Sequence, residues 1–352
     1  MSKFLSGRFL SFDAYVPGEQ LSDMEYIKLN TNESPFPPPD IVLSAAESVL
    51  EKLNLYPDPE GSLLIKKLAD LYEVKPENVI IGNGSDELLA FSFQAFFEEG
   101  VVFPDITYGF YPVYAKLYNV QYREIPVLDD MTINVKDYIN IGTNVVIANP
   151  NAPTGINLDL DDIEEIIRSN SGHIVLIDEA YVDFGGKSAV KLTHKYDNLL
   201  VIHTFSKSRS MAGARLGFAI GSSSVIDDLN KMKYSFNPYN VNRFTQVTGA
   251  AAIDAESYYT RKRHEIIEAR EYTAGKLKEL GFSVTDSTAN FLFTKHLGTG
   301  GFEIYSKLKN KGILVRQWSK PRISDYIRVT IGTKDQMDTF IKAIEDIITT
   351  KE

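Results

Sequence analysis

Short apolar runs separated by polar punctuation dominate the middle of the chain: "NVIIG" (78 to 82), "NVVIAN" (144 to 149), "HIVLID" (173 to 178), "LLVIH" (199 to 203) and "GFAIG" (217 to 221). They alternate with segments of helical period, the pattern of βα units around a mostly parallel sheet. In such sheets ligands gather at the carboxyl ends of the strands. The polar loops after those ends, "NGSDE", "PNAPTG", "EAYVDF" and "TFSKS", are therefore predicted to converge on one site.

From about residue 258 the texture changes. In "YYTRKRHEIIEAREYTAGKLKELG" the residues Ile266, Ala269, Leu277 and Leu280 fall on one helical stripe, with Gly281 where a C-terminal cap belongs. A last helix over 334–349 has the same logic in Met337, Phe340, Ile341, Ile344 and Ile348. Between the two, "FSVTDSTANFLFTK", "GILVRQW" and "YIRVTIG" read as strands of a separate, smaller α/β unit. The Pro-rich "LNTNESPFPPPD" is expected to cross from that unit into the larger one. The predicted organisation is an N-terminal segment, 1–38, joining the small domain, a large domain over 39–245 and a small C-terminal domain over 246–352.

Composition narrows the function classes. A chain of 352 residues with 43% hydrophobic positions, 19 Tyr and 20 Phe can bury sizeable cores. Its net charge of −10, with scattered Lys and Arg, argues against a nucleic-acid partner. There is no Cys, so disulfides and thiolate metal sites are excluded, and the five His show no ligand spacing. No run of 18 apolar residues and no signal-peptide core occurs, so neither a membrane partner nor a metal is expected and the expected location is the cytoplasm.

Four loops carry candidate chemistry. "IGNGSDELL" sets Gly82, Gly84 and Ser85 between a strand and a helix predicted to begin near Asp86. A helix start offers free N–H groups and a positive dipole end to a phosphate, although a plain turn capped by Ser85 or Asp86 explains the same residues. Asp178 closes a fully apolar strand, where a carboxylate must find a cation or several donors. "ANPNAPTG", with Asn149 and Asn151, reads equally well as a bare turn. "TFSKSRSMAGARLG" sets Lys207 among Thr204, Ser206, Ser208 and Ser210, with Arg215 following. Hydroxyls and an arginine suit a phosphate, and a lysine brought down from about 10.4 by desolvation and adjacent cations can attack a carbonyl. On "YIRVTIG", alternation sends Ile327, Val329 and Ile331 to one face and Arg328 to the other.

Ten motifs, "YVPGE", "LNTNESPFPPP", "YPDPEG", "GNGSDELL", "FPDITYGFY", "NPNAPTG", "IDEAYVDF", "TFSKSRSMAGARLG", "ANFLF" and "YIRVTIG", stand in one order over nearly the whole chain. In them the sequence resembles the fold type I pyridoxal-phosphate aminotransferases of class I and II, and within that group the histidinol-phosphate aminotransferases. The resemblance implies a large domain with a mostly parallel mixed sheet flanked by helices, plus a smaller α/β domain. It implies that Lys207 holds pyridoxal 5′-phosphate as a Schiff base, Asp178 pairs with the ring nitrogen, Tyr181 and Asn151 bond the phenolic oxygen, and Tyr108 stacks on the ring. Gly84, Ser85 and Asp86 at the helix start, with Thr204, Ser206 and Arg215, would hold the phosphate. Tyr56 would be donated by the neighbouring subunit of a homodimer with shared active sites. Arg328, helped by Arg316, would bind the substrate anion, with Tyr15 and Asn32 lining the pocket. The reaction so implied converts L-histidinol phosphate and 2-oxoglutarate to imidazole acetol phosphate and glutamate. Aromatic amino acid aminotransferases and threonine-phosphate decarboxylases share almost all of these motifs. A non-catalytic binding module would usually lack the lysine or the aspartate, and both are present.

Overall fold

The computed structural model describes residues 2–10, 12, 14–21 and 24–349. In chain order its principal elements are β1 (Ile27–Lys28), α1 (Asp40–Glu47), α2 (Ser62–Tyr72), β2 (Val79–Asn83), α3 (Ser85–Phe96), β3 (Val101–Pro104), α4 (Tyr111–Tyr118) and β4 (Tyr122–Ile125). Next come β5 (Asn144–Ala148), α5 (Leu160–Ser169), β6 (Val175–Asp178), β7 (Leu199–Thr204), β8 (Leu216–Gly221), α6 (Ser223–Phe236), α7 (Arg243–Asp254) and α8 (Glu256–Glu279). The chain ends with β9 (Phe282–Val284), β10 (Phe291–His296), α9 (Gly301–Asn310), β11 (Ile313–Leu314), β12 (Arg316–Gln317), β13 (Ile327–Thr330) and α10 (Lys334–Thr349).

The large sheet has seven strands in the order β2-β8-β7-β6-β5-β3-β4. Its central strands are buried on both faces, which is why they read as continuous apolar runs. The period of two sorts them: Ile80, Val146, Leu176, Leu200 and Ala219 pack on one side with Phe93 and Leu229. Their neighbours Ile81, Val145, Ile177, Val201 and Ile220 pack on the other with Leu64, Ile163 and Ile166. In α5 the buried Ile163, Ile166 and Ile167 are the inward stripe, and Asp161 and Asp162 sit in the first turn where the helix dipole favours them.

The run at 217–221 does not continue the parallel series. β8 lies antiparallel to both β7 and β2, because the loop from β7 returns directly without a crossover helix. The returning start of β8 thus joins the carboxyl ends of β5, β6 and β7 on one edge. The remaining pairs of the sheet, β3 with β4 and β5 and β6 with β5 and β7, are parallel.

The smaller unit has a four-stranded antiparallel sheet, β12-β13-β10-β9. Ile327, Val329 and Ile331 are buried in its core with Phe291, Phe340 and Ile344, while Ile347 turns fully inward and Ile348 only partly. The N-terminal segment enters that core through Leu29, whose N–H donates to Leu314 and whose carbonyl accepts from Thr330. Helix α7 packs on α1 and α2. Along α8 the packing partners change: Tyr259 belongs with the large core, and Ile266, Ala269 and Leu277 with the small one. Gly281 follows α8 at φ +82°, the left-handed conformation that ends helices. No described helix is long and apolar enough to cross a membrane.

Candidate active site

A cavity of about 310 Å³ opens where these strand ends meet, lined among others by Ser85, Asp86, Tyr108, Asp178, Tyr181, Thr204, Ser206, Lys207 and Arg215. Asp178, the last residue of β6, is 4% exposed. Its Oδ2 accepts from the Tyr111 hydroxyl at 3.0 Å and its Oδ1 from the Ala180 N–H at 3.2 Å. Burial pushes its carboxyl up to about 6, although the Tyr111 and Ala180 hydrogen bonds pull it down, and Asp86 adds to the rise. A buried carboxylate with only two donors has acceptor capacity left for a cationic N–H from the cavity.

The opposite wall is made by the start of α3. The helix begins at Ser85, one residue earlier than the spacing suggests, and its N-cap is Gly84 at φ +82° with no side-chain cap. The first N–H groups are therefore left for a ligand. Asp86 instead joins two neighbours: its Oδ1 accepts from the Tyr108 hydroxyl at 2.8 Å and its Oδ2 from Arg215 at 3.1 Å. Burial, with Asp86 beside it, pushes the Tyr108 phenol up, so it stays a donor. A Cβ on Gly84 would lie 2.6 Å from Nη2 of Arg215, and one on Gly217 would lie 2.3 Å from the Ser85 nitrogen. Thr204 and Ser206 complete this wall, their hydroxyls 3.0 Å apart. Helix N–H groups, hydroxyls and a guanidinium form a donor set suited to a phosphate.

Lys207 lies between this cavity and a second one of about 250 Å³, lined by Tyr15, Asn32, Arg316, Trp318, Lys320, Ile323 and Arg328 among others. Lys207, Tyr108 and Tyr181 border both cavities. The Lys207 Nζ donates to the Thr31 carbonyl at 3.3 Å and stands 5.8 Å from the centre of the Tyr181 ring. Asn32, buried at φ +56°, fixes that ring by donating to the Tyr181 hydroxyl at 3.0 Å. Arg328 is sandwiched between Phe291 and Trp318, donates to the Asn30 carbonyl at 2.9 Å and has its Nε without a partner. No carboxylate pairs with it among the described residues. Burial, and then the repulsion of Arg316, pull its guanidinium below the usual value, and an arginine still remains charged. Arg316 reaches the carbonyls of Val16 and Pro17 and faces Trp318. Tyr15 stacks on Phe110 with ring centres 4.0 Å apart.

Fourteen of the sixteen residues expected from the sequence thus meet around the two cavities, counting Gly84 through its contact with Arg215. Asn151 and Tyr56 do not. The buried Asn151 spends its amide on the Ile106 carbonyl and the Thr154 hydroxyl and its oxygen on Thr107, so it holds the loop rather than facing the cavity. Tyr56 is 76% exposed and stacks on Tyr239 outside both cavities. Sequence reasoning passed over Tyr111, which sits in the quoted "FPDITYGFY" motif, and over Trp318, whose signal was its place two residues after Arg316.

Comparison with known proteins shows what the chain is similar to. The family model described as aminotransferase class I and II matches residues 24–344. Histidinol-phosphate aminotransferase of Brachyspira hyodysenteriae is 52% identical over 352 residues, covering 99% of each chain. The structure of histidinol-phosphate aminotransferase from Sinorhizobium meliloti in complex with pyridoxal-5′-phosphate superposes with a TM-score of 0.91 at 22% identity, over 99% of each chain. L-threonine-O-3-phosphate decarboxylase from Porphyromonas gingivalis shares the fold too, with a TM-score of 0.80 at 19% identity, over 92% of this chain and all of that one.

Proposed function

The chain belongs to the class I and II aminotransferase family, and on that premise we propose that it transfers the amino group of L-histidinol phosphate to 2-oxoglutarate, giving imidazole acetol phosphate and glutamate. One observation carries the reading: a single amine, Lys207, borders on one side a cavity whose donors suit a phosphate and, on the other, a pocket whose wall holds an arginine without a carboxylate partner among the described residues. Pyridoxal 5′-phosphate fits the first cavity, where a Cβ on Gly84 or Gly217 would intrude on the cradle. When bound, the cofactor supplies an aldehyde and an electron sink for the substrate carbon.

The chain's own groups do the rest. Ser85 and Asp86 at the start of α3, with Thr204, Ser206 and Arg215, would hold the phosphate, and Tyr108 would cover the ring. Asp178 would keep the ring nitrogen protonated, and Tyr181, held by Asn32, would donate to the phenolic oxygen. Lys207 Nζ takes the proton from the substrate carbon that bears the amine. Arg328, with Arg316 beside it, binds what the two substrates share, an anionic group, by a forked pair of hydrogen bonds. Tyr15 and Trp318 give the aromatic walls against which an imidazole can pack.

We place this chemistry in a cytoplasmic homodimer, in which Tyr56 serves the partner's cradle. Its exposure outside its own cavity and the exposed Leu50, Leu53 and Leu55 beside it support that reading. A single-turnover assay of the yellow protein with histidinol phosphate, phenylalanine and threonine phosphate in turn tests the substrate. Bleaching with histidinol phosphate alone is expected. A preference for phenylalanine, or release of CO2 from threonine phosphate, would overturn it. Borohydride reduction followed by peptide mapping must place the label on Lys207.

A further inference from the structure

The carboxylate at the end of β6 is not held by the backbone alone. Tyr111 opens α4 directly beneath the cavity and is completely buried, its ring edge-on to Tyr108 at 5.7 Å and packed by Phe93 and Phe103. Its hydroxyl donates to Asp178 Oδ2 at 3.0 Å, while Oδ1 takes the Ala180 N–H. Burial and the adjacent Asp178 push the Tyr111 phenol far up, so it stays a donor and never competes as an anion. We propose that Tyr111 is a positioning residue for the cofactor: its hydroxyl aims the Asp178 carboxylate and holds it in the ionised form that a protonated ring nitrogen requires.

This role of Tyr111 rests on the pairing of Asp178 with the ring nitrogen proposed above. A carboxylate in a dry pocket favours protonation, and a neutral acid offers no charge to a pyridinium. One donor fixed by three aromatic neighbours offsets that tendency without adding a competing positive charge. The same short segment carries Tyr108, which borders the cavity and touches the Tyr111 ring edge-on. The other titratable groups facing Asp178 are Asp86 on α3, Tyr114 on α4, His203 on β7, and Tyr181 and Lys207 on the cavity wall. Tyr111→Phe replaces none of these residues.

The test measures binding, not turnover. Cofactor-free protein is titrated with pyridoxine 5′-phosphate, which has the ring and phosphate but no aldehyde for Lys207, from pH 5.5 to 8.5. The ligand's own titrations are common to all variants and cancel in the comparison. Tyr111→Phe keeps the ring and its packing. Loss of a hydrogen bond to a charged group should move the acidic fall in affinity upward by about one pH unit, which is about tenfold weaker binding at pH 5.5 and little change at pH 8.5. Asp178→Asn should remove that part of the pH dependence, and adding Tyr111→Phe to it should change nothing further. An affinity loss equal at every pH, or persisting in the Asp178→Asn background, would show that Tyr111 only packs, and the proposal fails. If Asp178→Asn itself leaves the pH dependence intact, the pairing of Asp178 with the ring is wrong and the inference falls with it. A 13C NMR titration of the Asp178 carboxyl in cofactor-free protein gives a second readout, in which Tyr111→Phe must raise the midpoint.

Discussion

Gly217→Ala isolates the phosphate cradle. Gly217 lies where β8 passes the start of α3, and a Cβ there would stand 2.3 Å from the Ser85 nitrogen, 2.6 Å from the Gly84 carbonyl carbon and 2.8 Å from the Ser85 Cα. All three atoms are backbone, so no side chain can swing aside. Ordinary contact begins near 3.4 Å, which requires the helix start to retreat by about 1 Å. Donors that stood about 2.9 Å from a phosphate oxygen would then lie beyond hydrogen-bond range. Two bonds to a charged acceptor, at roughly 1.5 kcal/mol each, amount to about 3 kcal/mol, or about a hundredfold in affinity. The fold should survive, since overpacking of this kind costs about 1–3 kcal/mol against a stability of roughly 5–15. The assay compares binding of pyridoxine 5′-phosphate and of pyridoxine, which lacks the phosphate, to cofactor-free protein. Gly217→Ala should cut the ratio of the two affinities by about a hundredfold while leaving pyridoxine itself little affected. Gly275→Ala, on α8 with open space around the added carbon, is the control and should raise stability by up to about 1 kcal/mol. A ratio unchanged in a folded Gly217→Ala protein would show that the α3 start does not hold the phosphate.

Three further outcomes are expected. Arg328→Gln should lower kcat/KM for histidinol phosphate by about a hundredfold, mostly through KM, as the loss of a forked bond to an anion requires, and Arg328→Lys should recover only part of it; full recovery by lysine would contradict the forked geometry. In cofactor-free protein, Asp178 titrates near 6 rather than 3.8, so the folded state binds the proton more tightly than the unfolded chain. Its stabilising effect is complete below about pH 4 and lost as the pH rises through 6, a difference of about 3 kcal/mol. Urea unfolding should therefore find Asp178→Asn the more stable protein at pH 7 and the gap shrinking toward pH 4; a gap that does not depend on pH would refute this. Finally, mixing Lys207→Ala chains with Tyr56→Phe chains and letting them exchange should create sites with both native groups, and activity should rise above that of either variant alone. No rise would mean that Tyr56 does not act across subunits.

The legible parts of the fold were those whose environment is uniform. β5, β6 and β7 are buried on both faces and read as unbroken apolar runs, whereas β4, exposed at Tyr122, Arg123 and Glu124 on the sheet edge, left no such trace. The direction of β8 could not be read, because an apolar run carries no arrow; only the short return through Lys207 sets it antiparallel. At the site, Asp178 stands out because a carboxylate closing an apolar strand demands a partner, Lys207 because it sits among hydroxyls with Arg215 following, and Arg328 because alternation turns it away from the apolar face. Tyr111 did not, since a phenol among aromatic helix residues looks like packing until its hydroxyl finds the carboxylate. Trp318, Lys320 and Ile323 lie between β12 and β13, where neither period applies.

Helix α8 has a mechanical consequence. It is one uninterrupted rod from Glu256 to Glu279, clamped near Tyr259 by the large core and from Ile266 onward by the small one. Twenty residues of helix span about 30 Å, so a tilt of about 5° at the clamped end carries the far end through nearly 3 Å. Any rocking of the smaller unit is thereby geared up along this lever. Angular slack too slight to disturb the packing at Tyr259 becomes a displacement as large as a hydrogen bond is long at the far end of the rod.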